Sequence, residues 1–425
     1  MKYINIRISD TNNVSFVLYK WIVLICALQS FACSFFWDVS NLVCIFALFL
    51  SSLLLISNKW HDKSNTSWFV LYLIAFIFTQ DNNLLGWIIA LLSFFNLYVL
   101  FNLKTSYKHE LLCFIRKSLG LIIIVSLIGW IIYLLGVSLP HFDTGWGDSP
   151  GGDFHYYFDN YYFFLVNKVS FFRYIIPRFS SVFLEPGYLG CLMSILLISD
   201  HFRFGKGHLM NVVFLVALLF SFSLAGYLLT VFGLIIDRFA RNNGRMVWLS
   251  LILLLVFGAY QFFKDYKGGN NIVNETIILR LEIDKSDGSI AGYNRSSESL
   301  EYYFWNRFIY SSELLFGDKD VIERYSDSAD NEVSWHGYII RYGLIAILFL
   351  LLYYFYPVLK HSNDRRKMFG VGLIFLLVFS QTIHMTHSLM YIVLFILSIA
   401  EIDFENNKYL NNGNYRVLST TVSSH

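Results

Sequence analysis

Four arginines beside long apolar runs of this chain have side chains that could bind an anion. They are Arg173, Arg178, Arg307 and Arg341. A guanidinium group keeps its charge at physiological pH and binds a phosphate through two parallel hydrogen bonds. These four residues are therefore candidate phosphate ligands.

Glu185 and His336 are the candidate acid–base groups. Glu185 precedes Pro186, which suits the first position of a helix, so its carboxylate meets the positive end of the helix dipole. His336 opens the run WHGYIIRYGLIAI, where the same dipole favours the neutral imidazole that a general base requires. Each has a simpler interpretation: Glu185 and Pro186 describe a well-capped helix, and His336 beside Trp335 could be an interfacial anchor.

Arg307 lies in SSESLEYYFWNRFIYSSELLFG, 296–317, whose periodicity predicts a helix that lies on a membrane surface and ends at Gly317. On a helical projection its guanidinium group has apolar neighbours. They are Leu300, Phe304, Leu314 and Leu315. A charged group in such a stripe requires an anion, unless the side chain extends to lipid headgroups. Arg341 lies further inside the next run, where charged residues usually face a cavity or a partner.

The elements that position these residues are apolar runs long enough to cross a membrane. The chain has 425 residues, of which 56% are hydrophobic and 15% are charged, against about 25% charged in soluble domains. About 20 helical residues cross the hydrocarbon core. We therefore predict an all-α polytopic membrane protein with about twelve transmembrane helices and two long outward-facing loops. The predicted spans are 18–37, 41–57, 67–80, 84–101, 117–138, 183–199, 209–222, 224–237, 246–263, 335–357, 368–384 and 386–402.

Basic residues fall in every other link between these runs, and such residues are retained on the cytoplasmic side. The basic links contain Lys59 and Lys63; Lys104, Lys108, Arg116 and Lys117; Arg203 and Lys206; Arg238, Arg241 and Arg245; and Lys360, Arg365, Arg366 and Lys367. Both termini are then cytoplasmic, and the chain is expected in a bacterial inner membrane. Arg173 and Arg178 fall on the outer side, where this tendency does not account for them.

The predicted spans divide the chain into six parts. These are helices 1–5 (1–138), the first large outer loop (139–182), helices 6–9 (183–263), the second large outer loop with the surface helix (264–334), helices 10–12 (335–402) and a cytoplasmic tail (403–425). The helices of the pair 209–222 and 224–237 are short, and the sequence leaves open whether both cross completely.

Composition excludes several other classes of protein. The five cysteines all lie in or beside apolar runs, so the outer loops contain no disulfide framework, and no Cys/His spacing resembles a zinc site. We predict neither a metal nor a cofactor. The net charge is only +2, and the second loop has more acidic than basic residues. A nucleic-acid partner is not expected.

At these residues the chain resembles the superfamily of O-antigen polymerases and ligases, membrane glycosyltransferases that act on undecaprenyl-diphosphate-linked glycans. Three features carry the resemblance: RFSSVFLEPGYLG, 178–190; the turn SFSLAGY, 221–227; and an outer loop with Arg307 and Phe316-Gly317, followed by His336 and Gly343-Leu344-Ile345. The family often has Asn after the loop His, where this chain has Gly337. Eleven residues separate Arg178 from Gly190, which differs from the spacing in some polymerases.

The resemblance implies a polymerase of O-antigen or capsule repeat units. Such an enzyme moves a growing glycan from undecaprenyl diphosphate onto the terminal sugar of another lipid-linked unit. Arg178 and Arg307, with Arg173 and Arg341 next, would bind the diphosphate; His336 or Glu185 would take the proton of the acceptor hydroxyl; and Tyr188 would contact the glycan. Expected partners are the lipid-linked oligosaccharide, the bilayer and a chain-length regulator.

Two other functions stay open. A ligase would pass finished glycan to lipid A or to a protein. A glycolipid transporter or flippase would instead have ionisable residues near the middle of the membrane and related halves, whereas the charges here gather at the outer surface.

Overall fold

The computed structural model of the protein is mostly helical. It describes residues 14–56, 60, 65–77, 84–144, 158–167, 177–205, 207–240, 258, 260–269, 271, 273–274, 278–279, 298–318, 335–360, 365–381 and 388–404. The helices in these ranges are α1 (Val14–Gln29), α2 (Asn41–Ile56), α3 (Thr66–Ile77), α4 (Leu84–Asn102), α5 (Thr105–Leu134), α6 (Pro186–Ser199), α7 (Leu209–Ser221), α8 (Leu224–Ala240), α9 (Glu298–Asn306), α10 (Trp335–Lys360), α11 (Arg365–Gln381) and α12 (389–404).

Two helices among the described residues, α5 and α10, are long and apolar enough to cross a membrane. Several others are apolar but shorter, with ten to seventeen residues. α5 begins twelve residues before the predicted span 117–138, because its first three turns carry the polar segment that was expected to be a link. One large core joins α1–α8 with α10–α12, and a second, smaller core lies between α9 and the start of α10.

The prediction for the first span is wrong in its bounds. α1 ends at Gln29 instead of near residue 37. Ala32, with φ of 51°, then reverses the chain, and Ser34 donates a backbone hydrogen bond to Val182. Pairing with the segment before α6 therefore replaces the last two turns of the predicted helix.

The segment 139–182, predicted as the first large loop, contains a small antiparallel sheet, so the fold is mostly helical and not all-α. Its strands are β1 (Phe142–Thr144), β2 (Phe158–Asn160) and β3 (Leu165–Asn167), in the order β1-β2-β3. Strands of three residues are too short to show an alternating pattern. They are stabilised from outside the sheet, where Leu165 donates a backbone hydrogen bond to Ser181.

The predicted surface helix 296–317 is not continuous. α9 ends at Asn306, and two 3₁₀ turns follow, Phe308–Tyr310 and Ser312–Leu314. The apolar stripe of the segment passes through Leu300, Phe304 and Phe308, which are buried, whereas Arg307 is exposed. Leaving the helix allows the chain after Phe308 to turn toward α10. Gly317 has a φ of 81°, but the helix that it was predicted to end stops earlier, at Asn306.

A buried ionic network joins Arg116 within α5 to the end of α6 and the start of α7. The carboxylate of Asp200, just after α6, accepts hydrogen bonds from Arg116 (3.0 Å), His208 (2.7 Å) and Asn211 (2.8 Å). It also forms an ion pair with Arg203. Arg116 and Arg203 were predicted only as markers of the cytoplasmic side, so the network adds a packing role to residues of the basic links.

The network determines the charge state of Asp200. Burial alone would raise the pKa of this carboxyl group, but attraction to Arg116, the hydrogen bond from His208 and the proximity of Arg203 outweigh burial. The pKa of Asp200 is therefore lowered below its ordinary value. A carboxyl group with a lowered folded-state pKa stabilises the folded protein above its unfolded-state pKa, and that stabilisation is lost as the pH falls through the folded-state value.

We predict that Asp200→Asn lowers the thermal stability of the purified protein at pH 7, because it leaves Arg116 buried without its carboxylate. Breaking a buried ion pair in this way costs about 3–5 kcal/mol. The difference in melting temperature between wild type and variant should shrink as the pH falls below about 4, where the Asp200 carboxyl group of the unfolded chain begins to take up its proton while that of the folded protein stays ionised. Thermal unfolding measured from pH 7 to pH 3 checks this.

The matched control is Asp38→Asn, which removes an exposed carboxylate from the link between α1 and α2. It should leave the melting temperature nearly unchanged at pH 7. A wild-type–Asp200→Asn difference that stays constant over the whole pH range would contradict the role given to the network.

Candidate functional site

Arg178 holds the turn between α7 and α8. Its Nε donates a hydrogen bond to the Ser221 carbonyl (3.1 Å) and its Nη2 donates one to the Phe222 carbonyl (3.0 Å). Phe222 has a left-handed conformation, with φ of 46°, which ends α7 and orients these carbonyls away from the helix. Two of the five N–H donors of the guanidinium group are therefore used to cap the C-terminus of α7.

The two motifs that carry the resemblance in this region pack against each other. Gly190 of α6 lies so close to the turn that a Cβ atom there would be 2.6 Å from the Ser223 hydroxyl. A Cβ at Gly226 of α8 would be 2.8 Å from the carbonyl carbon of Gly190. Ser194 donates to the Gly226 carbonyl (2.8 Å) across the same contact. Small residues allow two helix backbones to approach closely, so the glycines of both motifs have a packing role.

Glu185 and Tyr188 belong to the same part of the molecule. α6 begins at Pro186, as predicted, with Glu185 at the N-cap position in extended conformation, although its side chain does not cap the helix. Tyr188 is only 7% exposed, and its ring lies 5.9 Å from that of Phe31. Most of the Tyr188 ring is thus occupied by protein contacts. Arg173 lies outside the described residues.

His336 is enclosed by aromatic rings at the start of α10. Ring centroids lie 3.7 Å away in Trp335, 4.5 Å in Phe304 and 5.5 Å in Trp305. Within the described part of the chain, neither ring nitrogen of His336 has a hydrogen-bond partner, although both are buried. An acidic group lies close to the ring: Oε1 of Glu301, in α9, is 3.8 Å from Nδ1 of His336.

Arg307 follows α9 directly. Its backbone N–H still donates to Tyr303 (3.0 Å), but its φ and ψ of −132° and −53° no longer continue the helix. The side chain is exposed. Phe304, three residues earlier, packs on the His336 ring. Arg307 therefore lies about one helical turn after the residue that contacts His336. The exposed cation and the buried imidazole therefore belong to one packed unit.

A break in α10 at Gly343 fixes this unit. Gly343 has φ of 77° and ψ of 172°, which only glycine adopts readily. A Cβ atom there would lie 2.5 Å from the Leu315 carbonyl carbon. The Leu315 carbonyl accepts the N–H of Ile345 (3.2 Å), and the N–H of Asp318 donates to the Ile340 carbonyl (2.6 Å). The loop thus supplies hydrogen bonds that the broken helix cannot make internally.

Gly317 and Arg341 meet on the other side of the same break. A Cβ atom at Gly317 would lie 2.5 Å from the Arg341 carbonyl oxygen. The Arg341 side chain is half-buried, with its guanidinium carbon 5.6 Å from the centre of the Tyr342 ring. The Phe316-Gly317 and Gly343-Leu344 steps of the resemblance are therefore direct neighbours in the structure.

The predicted site residues consequently fall into two groups. Arg178, Glu185 and Tyr188 surround the start of α6 and the turn after α7. Arg307, His336 and Arg341 belong to the contact between α9 and α10. Sequence reasoning missed Glu301, because its proximity to His336 depends on how α9 docks; only its spacing of three residues from Phe304 places both on one helix face.

A second group that sequence reasoning missed lies on the small sheet. His141, Asp143 and Asp159 offer potential metal-ligand atoms that all lie within 4.8 Å of one another. Asp143 and Asp159 are directly opposite in the register of β1 and β2, and Nε2 of His141 is 3.6 Å from Oδ1 of Asp159. Imidazole and carboxylate are ordinary ligands of divalent metals, but exposed acidic groups commonly occur without one.

In comparisons with known proteins, no family model, no curated protein and no solved structure matched this chain. The resemblance to the polymerases and ligases therefore rests on the sequence motifs.

We predict that Gly317→Ala destabilises the protein by about 1–3 kcal/mol more than Gly136→Ala does, because the added methyl group overpacks the backbone of α10. Gly136 is a matched control: its φ is 80° against 81° at Gly317, but a Cβ atom there would meet no described residue within 4 Å. Both variants share the cost of a left-handed alanine, and only one creates a clash. Melting temperatures of the two purified variants check this, and equal losses would show that the close approach is unimportant.

Proposed function

We propose that the protein is a membrane glycosyltransferase that polymerises repeat units of an O-antigen or capsule polysaccharide. It transfers a glycan from undecaprenyl diphosphate to the terminal sugar of a second lipid-linked unit at the outer face of the bacterial inner membrane. The observation that carries the proposal is the docking of α9, which ends beside the exposed Arg307, onto the first turn of α10, which contains His336.

The proposal includes about twelve membrane-crossing helices with both termini in the cytoplasm. The outward faces of the two longest helices support a lipid environment. On α5, Leu121, Val125 and Ile128 are exposed, and on α10, Leu344 and Leu348 are exposed. A helix with apolar side chains both in the core and on the outside suits a membrane better than water.

The charge distribution along α10 and α11 supports the proposed orientation. α10 ends at Lys360, and α11 begins with Arg365 and Arg366, so the C-terminal end of α10 is strongly basic. Basic ends remain on the cytoplasmic side. In this orientation His336, at the opposite end of α10, is at the outer surface, together with the loop that contains Arg307.

The reaction requires cations at the place where the diphosphate leaves. The oxygen of the acceptor hydroxyl forms a bond with the anomeric carbon while the bond from that carbon to the diphosphate oxygen breaks. The electron pair of the broken bond remains on the diphosphate. Preorganised positive groups stabilise such charge as it develops. We assign this role first to Arg307, whose guanidinium group is exposed, and then to Arg178, Arg341 and Arg173; no metal is needed for it.

The acceptor hydroxyl loses its proton in the same step, and we assign His336 as the general base. A neutral imidazole accepts a proton at one ring nitrogen. Glu185 is the alternative base. A single displacement of this kind would invert the configuration of the anomeric carbon.

The decisive experiment mixes the purified protein in detergent with lipid-linked repeat units and separates the products by size. A polymerase forms a ladder of longer lipid-linked glycans. A ligase instead predicts that deletion of the gene accumulates long lipid-linked polymer in cells. A glycolipid carrier forms no product in detergent, so the absence of any ladder would overturn the proposal.

We predict that Arg307→Ala reduces the rate of polymer formation by about 10²–10³-fold, which is the usual cost of losing one preorganised charge donor. Quantification of the ladder with time checks this. Arg365→Ala is the control, because it removes an exposed arginine at the basic end of α11; it should retain wild-type activity. Normal polymer length from Arg307→Ala in a complemented deletion strain would contradict the assignment.

For His336→Ala we predict a loss of about 10²–10⁴-fold in rate with unchanged membrane insertion, because a general base contributes that much. The same ladder assay measures it, with the amount of protein in the membrane fraction as the control. Near-normal polymer from this variant would transfer the role of the base to Glu185 or to no residue of this chain.

A further inference from the structure

The surroundings of His336 combine a buried polar group with exposed aromatic surface. The His336 side chain is only 7% exposed, and both of its ring nitrogens are buried with no hydrogen-bond partner in the described ranges. A buried polar atom without a partner costs free energy. Such a group therefore favours a ligand that brings a hydrogen-bonding atom to it.

The partly exposed side chains next to His336 are of two kinds, aromatic and acidic. Trp305 and Trp335 are 51% and 41% exposed, and their rings meet nearly edge to face with centroids 6.4 Å apart. Glu301 is 38% exposed, and its carboxylate lies 3.8 Å from the imidazole. Two half-exposed indole rings thus lie beside the Glu301 carboxylate, which only accepts hydrogen bonds, and the His336 imidazole, which both accepts and donates them.

This combination matches the chemistry of a sugar ring. One face of a pyranose presents C–H groups with partial positive charge, which pack on the negative face of an indole. Its hydroxyl groups project from the edge of the ring and require hydrogen-bond partners. A site that is largely apolar with a few convergent polar groups is the usual form of a small-ligand site.

We propose that Glu301, Trp305 and Trp335 bind the acceptor sugar against His336. The indole rings bind the C–H face of the terminal sugar, and the Glu301 carboxylate accepts a hydrogen bond from one hydroxyl. A neighbouring hydroxyl then reaches the imidazole. This inference rests on the proposed function, because it names the substrate that the same site would take.

The other occupant of exposed tryptophans at this position is the bilayer interface, where indole rings are common. Interfacial anchoring would require the exposed rings only. It gives no reason for a carboxylate 3.8 Å from a buried imidazole. The sugar accounts for both kinds of group, and the bilayer becomes the competing outcome of the test.

The test uses a soluble acceptor that cannot act as a donor. The oligosaccharide is released from lipid-linked repeat units by mild acid and reduced at its reducing end. Purified protein in detergent transfers a glycan to it from intact lipid-linked units. We predict that Trp305→Ala raises KM for this acceptor about tenfold, the factor that corresponds to 1.4 kcal/mol. KM for the lipid-linked donor and kcat should stay within about twofold.

Two further variants keep the test independent of folding. Glu301→Gln has nearly the same shape and should raise the acceptor KM by a similar factor. Trp21→Ala is the matched control, because Trp21 is 50% exposed on α1; it should change neither KM. Melting temperatures close to wild type for all three variants show that the proteins are folded.

The outcomes separate the subsite from the proposed function. An unchanged acceptor KM in both Trp305→Ala and Glu301→Gln overturns the subsite while the polymerase stands. A smaller amount of Trp305→Ala in the membrane fraction, with normal kinetics in detergent, assigns the rings to the bilayer and also overturns it. If the wild type forms no product, saturation-transfer NMR of the reduced oligosaccharide still decides: a signal that Trp305→Ala abolishes supports the subsite, and no wild-type signal overturns it.

Discussion

The backbone contact between residues 315–317 and residues 341–343, where α10 is broken, is the constraint on which the candidate site depends. The helix α10 is broken at Gly343, and a broken helix leaves backbone groups that must find other partners in a low-dielectric environment. The segment 315–318 supplies them, by accepting the N–H of Ile345 and donating to the carbonyl of Ile340. Only residues without a Cβ atom allow the two backbones to approach so closely. The loop is therefore fixed to the helix by the backbone, whatever the side chains around it do.

A similar close approach of two backbone segments occurs at the start of α6. Gly190 and Gly226 bring α6 and α8 into backbone contact, and the turn that precedes α8 is held by the guanidinium group of Arg178. The motifs of the resemblance thus have a physical explanation independent of catalysis: each contains the glycine that allows a close approach. That explanation covers Gly190, Gly226, Gly317 and Gly343. It does not account for the burial of His336 beside Glu301.

Features of the fold that depend on single residues could be predicted from the sequence. The start of α6 at Pro186 and the left-handed Gly317 follow from backbone restrictions of single residues. The strands of the first loop, the early end of α1 at Gln29 and the break after Asn306 depend on partners distant in sequence. The hydrophobic periodicity of a short stretch of sequence contains no information about these distant partners. The same holds for Asp200, because its partners Arg116, His208 and Asn211 belong to different helices, or to the links between them.

The contacts of the two arginines divide the roles that sequence reasoning had given to both. The Arg178 guanidinium group donates two hydrogen bonds to backbone carbonyls whose positions determine the turn after α7. If the Arg178 side chain moved toward a phosphate, those carbonyls would lose their hydrogen-bond donors. The free-energy cost of that loss is comparable to the free energy gained by binding the phosphate. Arg307 is exposed at the end of α9, and within the described ranges its side chain has no hydrogen-bond partner that an anion would have to replace. Charge stabilisation in the proposed reaction therefore falls mainly on Arg307, and Arg178 contributes chiefly by fixing the backbone next to it in the turn.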